Sequence, residues 1–150
     1  MLLFSCNNES SEETLSNFDT SNFSTKQFVG NIVGFQDGED VKLGIKEENI
    51  IKSFNNYNKS LNQDLVAVSI LIEKIEDNDY IRFYNEDGSV STVALLEANV
   101  NNLSDTTRYA MGGTVCTTSS CASCCGCVPD GNYCTPCEYN TSDCSRKTSG

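Results

Sequence analysis

Apolar positions along the chain follow two periods, and the switches between them mark out the elements. The segment Gln27–Phe35, QFVGNIVGF, is short, rich in β-formers and spaced by glycine. Val41-Lys42-Leu43-Gly44-Ile45 alternates apolar residues with polar ones or glycine, and Asp37-Gly38-Glu39-Asp40 between the two supplies turn residues, so together they read as a hairpin. Ile50, Ile51, Phe54, Tyr57 and Leu61 then recur at helical spacing, with Glu48 and Lys52 four apart. This predicts an amphipathic helix of about three to four turns whose apolar stripe reads as core. From Leu65 to Glu76 the period returns to two, with Val66, Val68, Ile70 and Ile72 on one face. Asp77-Asn78-Asp79 turns the chain, Tyr80–Tyr84 alternates with Ile81 and Phe83 inward, and the Asp-Gly in Glu86–Ser89 forms a second hairpin before a strand over Val90–Leu96. The order is β-β-α-β-β-β, an α+β domain over residues 27–103 in which one small antiparallel sheet carries one packed helix.

The alternation that sends Ile81 and Phe83 inward puts Tyr80, Arg82 and Tyr84 on the outer face. Such a stripe is a candidate binding surface, though tyrosines on exposed strand faces are also common without any ligand. After Asn99 the chain turns polar and loses periodicity, and Gly112-Gly113 reads as part of a hinge over residues 104–115.

Composition narrows the classes. Hydrophobic residues make up 38%, part of that being cysteine, so a core segment of about 75 residues is marginally stable by burial alone. A net charge of −11 repels phosphate backbones and argues against nucleic acid as a partner; it also simply keeps a protein soluble. No stretch approaches the roughly 20 apolar residues of a membrane-spanning helix. Histidine is absent, which excludes Ser-His and Cys-His nucleophile systems, and no phosphate-cradling glycine loop is present. No catalytic residue is identified, and a non-enzymatic protein without a cofactor is the expectation.

Cysteine changes the picture most. Of nine in the chain, eight fall in residues 116–150, at Cys116, Cys121, Cys124, Cys125, Cys127, Cys134, Cys137 and Cys144. Between them lie mainly Ser, Thr, Gly, Asp and Asn, with Val128, Tyr133 and Tyr139 the sizeable apolar side chains, so whatever orders this tail is covalent or metallic. In one reading four disulfides form, with Pro129-Asp130-Gly131-Asn132 as a turn and no pairing between the adjacent Cys124 and Cys125. In another, Cys121, Cys124, Cys134 and Cys137 have the paired Cys-x-x-Cys spacing of a four-cysteine zinc site. A third takes Gly112-Gly113 as a processing site, with a secreted cysteine-rich peptide released after Gly113. Cys134-Thr135-Pro136-Cys137 also has the form of a redox motif, but in a loop-rich tail rather than at a helix start.

At the other end the chain opens Met1-Leu2-Leu3-Phe4-Ser5-Cys6. Leu3 three before the cysteine and Ser5 one before it resemble the lipobox of bacterial lipoproteins. Residues 1–5 then read as the remnant of a signal peptide, and the resemblance implies cleavage before Cys6 and lipid attachment there. Asn7–Lys26 is polar, with acidic Glu9–Glu13, and residues 6–26 are expected to form a lipidated, disordered tether. Parity agrees: with Cys6 consumed by lipid, eight cysteines remain to pair. Together the lipobox and the terminal cysteine block resemble Bacteroidetes lipoproteins, in particular flavobacterial ones with cysteine-rich tails. That resemblance implies an outer-membrane lipoprotein of the cell envelope, periplasmic or surface-exposed, held to the membrane through Cys6, with a protein or glycan as the possible partner.

Overall fold

The computed structural model describes residues 18–21, 23–98, 106–123 and 126–148. Among these the chain forms β1 (Ile32–Asp37), β2 (Asp40–Leu43), α1 (Glu47–Ser60), β3 (Ala67–Ile75), β4 (Asn78–Asn85), β5 (Val90–Ala98), β6 (Arg108–Thr118), the short pair β7 (Pro129–Asp130) and β8 (Tyr133–Cys134), and β9 (Ser145–Thr148). The first six elements come in the order the periodicity predicts. Among the described residues the architecture is nevertheless mostly antiparallel sheet, in the order β2-β1-β6-β5-β4-β3 with β9 added beside β6, and one helix of 14 residues. The sheet curls far enough that its edge strands β2 and β3 line one cavity of about 240 Å³, so it approaches a barrel.

β6 joins the two halves of the sheet. One edge of β6 pairs with β5 from Val90↔Thr118 to Ala98↔Arg108. On the other edge Arg108–Ala110 pair with β1, and Thr114–Thr117 pair with β9. Without β6, the β1–β2 hairpin and the β3–β4–β5 meander share no ladder. The expected hinge at Gly112-Gly113 and the domain end at residue 103 are therefore corrected: both glycines lie inside a strand. Glycine is a weak strand former, but these two fall where the β5–β6 register shifts between Val93 and Leu95, an irregularity that suits glycine, and a Cβ at Gly112 would press on Leu96 Cδ1 at 3.3 Å.

One face of the sheet carries the core. Ile50 and Phe54 of α1 are fully buried against it, with Ile51 and Tyr57 flanking, and the Phe54 ring stacks on Phe83 at 4.0 Å between centroids. Ile81, Val93, Met111, Val115, Val33 and Phe35 complete the cluster. In β3 the predicted face holds only in part: Ile70 and Ile72 pack on the core, whereas Val66 and Val68 are exposed. A register shift between Ala67 and Ser69 breaks the period of two on this edge strand.

The expected tether over 6–26 is corrected from Phe18 onward, its earlier part lying outside the described residues. Phe18 is buried against Phe35, with the Arg108 guanidinium 5.0 Å above its ring, and Phe23 packs at the cluster's margin. Gly44 makes room for Phe18, since any Cβ there would run into the ring. Asn31, fully buried, donates to the carbonyl of Ser24 at 2.9 Å and accepts from its amide at 3.4 Å, tying residues 24–31 together.

Candidate functional site

The cysteines begin inside the sheet. Cys116 sits in β6 opposite Thr92, so its side chain points away from the core and onto the same face as Thr92, Arg82 and Tyr80. Among the described residues three disulfides follow: Cys116–Cys134, Cys121–Cys137 and Cys127–Cys144, with sequence separations of 18, 16 and 17 residues. Among the six described cysteines the first pairs with the fourth, the second with the fifth and the third with the sixth. Every loop so closed overlaps the other two. Cys116, Cys121, Cys127 and Cys137 are fully buried and form a sulfur-rich cluster separate from the main core, with Cys134 and Cys144 at its margin. Closing loops of this size stabilises by about 2–4 kcal/mol each.

Hydrogen bonds shape the loops between the crosslinks. The Cys127 amide donates to the Thr135 carbonyl at 2.7 Å and the Thr135 amide returns to Val128 at 2.8 Å, which sets up the β7–β8 hairpin over the expected turn at residues 129–132. Gly131 at φ +63° supplies the left-handed residue of that turn. Asp143 gathers the turn after β6: its carboxylate accepts from the Ser120 amide, from Ser119 N at 3.0 Å and from Thr118 Oγ1 at 3.1 Å. These donors, Ser120 foremost, hold its pKa below the ordinary carboxylate value.

The candidate stripe on the outer face is not an open surface. Tyr80 is 7% exposed and Arg82 3%, while Tyr84 is half-buried. The disulfide-held segment lies over Tyr80, whose hydroxyl donates to the Pro129 carbonyl at 3.3 Å. Burial, with a smaller contribution from Asp130, raises the Tyr80 pKa. Arg82 donates from Nε to Thr92 Oγ1 at 3.1 Å and pairs through Nη1 with Glu73 at 3.3 Å, but its Nη2 is buried without an acceptor. Alternation along β4 identifies the face correctly; it carries no information about a distant segment folding back over it.

The exposed aromatic side chains lie instead on the disulfide-held segment. Tyr133 and Tyr139 are 69% and 67% exposed, and the Arg146 guanidinium stacks 5.3 Å from the Tyr133 ring while Nη1 donates to the Asn132 carbonyl at 3.2 Å. The sequence signal for them is simply that two tyrosines stand among residues too polar to bury them.

The same geometry bears on the other readings of the tail. Three of the four cysteines of the zinc alternative, Cys121, Cys134 and Cys137, have their sulfurs in disulfides, which leaves no thiolate set, and no cluster of metal-ligating side chains occurs among the described residues. Cys134 and Cys137 bond to different partners and not to each other, so they do not form a redox pair. A cut after Gly113 would sever the central strand of the sheet. Cys6, Cys124 and Cys125 lie outside the described residues. No helix among the described residues is long and apolar enough to cross a membrane. Compared with protein-family models, with curated proteins and with solved structures, the chain finds no match in any of the three.

Proposed function

We propose that this chain is a lipid-anchored lipoprotein of the cell envelope that acts as a non-enzymatic binding or accessory module. The observation that carries the reading is the pairing of all six described cysteines into three disulfides, in a segment with almost no apolar side chains to hold it otherwise. Such a segment reaches its folded form only where thiols oxidise, which means after export. The Leu3-Phe4-Ser5-Cys6 match supplies the means of anchoring, and parity leaves Cys6 free for lipid.

The binding role draws on the surface of the crosslinked segment. Tyrosine and arginine contribute most where they are held rigidly, because little side-chain entropy is lost on contact. Tyr133, stacked with Arg146 on a hairpin tied down by Cys116–Cys134, meets that condition. The anchor is tested by expressing the chain behind a complete signal peptide and comparing it with Cys6→Ser. The wild-type chain is expected in the membrane fraction with a diacyl or triacyl mass on Cys6, and the variant in the soluble envelope fraction. A Cys6→Ser variant that stays tightly membrane-bound removes the proposal.

A further inference from the structure

The disulfide-held segment and the main core use opposite faces of one sheet. The core cluster around Phe54 and Phe83 contains no cysteine, and the sulfur cluster contains none of its apolar residues. The cover over Tyr80 therefore rests on crosslinks, on the Tyr80–Pro129 hydrogen bond, on the bonds from Thr118, Ser119 and Ser120 to Asp143, and on β9, whose four residues are all exposed. Apart from the cysteines, Val128 and Pro129 are the buried apolar residues within the described part of the cover beyond β6. Two residues along the same strand face from Tyr80, Arg82 keeps Nη2 buried without an acceptor, a polar group that water would satisfy if it reached this face.

From these features we infer that residues 126–148 form a redox-releasable cover: reduction lifts the segment off Tyr80 while the helix-backed sheet stays folded. The reductant is a dithiol. Each protein disulfide accepts two electrons and two protons and becomes two thiols, while the dithiol closes to its own disulfide. Exchange needs a thiolate in line with an accessible sulfur. Cys134 and Cys144 are only partly buried, whereas Cys121 and Cys137 are both fully buried. Release thus begins at Cys116–Cys134 and Cys127–Cys144, the first of which ties the β7–β8 hairpin down over the sheet, and Cys121–Cys137 yields last.

The experiment follows tyrosine nitration by tetranitromethane, mapped by mass spectrometry, on the full chain before and after dithiothreitol and thiol capping. In the oxidised protein Tyr133 and Tyr139 are nitrated and Tyr80 is protected. After reduction Tyr80 is expected to react about tenfold faster or more, approaching Tyr133, while circular dichroism still shows a cooperative sheet melt. Partial reduction should cap Cys134 and Cys144 before Cys137. A variant with serine at all six paired cysteines repeats the test without bulky caps and should expose Tyr80 in the same way. Two results overturn the inference: Tyr80 still protected in the reduced and in the serine-substituted protein, or a sheet that loses its cooperative melt in both.

Discussion

Cutting the chain after Leu103 removes β6 and everything beyond it. The remaining segment holds the helix, the β1–β2 hairpin and the β3–β4–β5 meander, and so includes every element that the apolar periodicity announces. Its two sheet fragments would have no ladder between them, because β1 and β5 both pair with β6 and not with each other. Met111 and Val115 also leave the core, where they are 1% and 4% exposed. Burying each contributes about 1.5–3 kcal/mol, so the two together account for about 3–6 kcal/mol. A domain of this kind is stable by only about 5–15 kcal/mol in all. Opening the β1 and β5 edges and uncovering Val33 and Val93 comes on top of that loss. The expected outcome in a urea titration followed by circular dichroism is no cooperative transition for residues 18–103 and a single transition for the full oxidised chain. Met111→Ala in the full chain should cost about 2–5 kcal/mol, seen as a lower midpoint at unchanged slope. A cooperative transition from the truncated chain, near the full-length midpoint, would refute the role assigned to β6.

Other expectations follow from single residues. Phe83→Ala removes the ring stacked on Phe54 in a fully buried site and should destabilise by about 3–5 kcal/mol in the same titration. Gly126→Ala places a Cβ against the Pro136 carbonyl at a residue with φ +96°, so oxidative refolding should yield scrambled disulfides, read as several peaks in non-reducing chromatography where the wild type gives one. Asp143 has a folded pKa below its unfolded value, so its stabilising effect is complete above the ordinary carboxylate value and is lost as pH falls through the folded pKa. The segment should accordingly become more protease-sensitive in acid, and Asp143→Asn should be sensitive at neutral pH and show less change on acidification.

What the sequence made legible follows the range of each signal. The β1–β2 turn at Gly38, the α1 stripe through Ile50 and Phe54, and the Asp-Gly turn between β4 and β5 are local features, and each reads directly from a few neighbouring residues. β6 hides because Gly112 and Gly113 dilute its alternation, and its stability comes from partners on both edges far away in the chain. Phe18 and Phe23 look like stray aromatics in a polar tether until the pocket beside Gly44 is known. The cover over Tyr80 is the least legible feature. It depends on which cysteines pair, and spacing does not select one pairing from many.

The claim on which the account turns is that the C-terminal segment is crosslinked in a defined way. The direct measurement is a disulfide map of the native protein, using stepwise partial reduction and differential alkylation under acidic denaturing conditions. The account predicts no free thiol before reduction at any of the six cysteines and the pairs Cys116–Cys134, Cys121–Cys137 and Cys127–Cys144. Free thiols at these positions that appear on adding a chelator, with no reductant present, would contradict it and establish a metal-thiolate cluster in place of the disulfides.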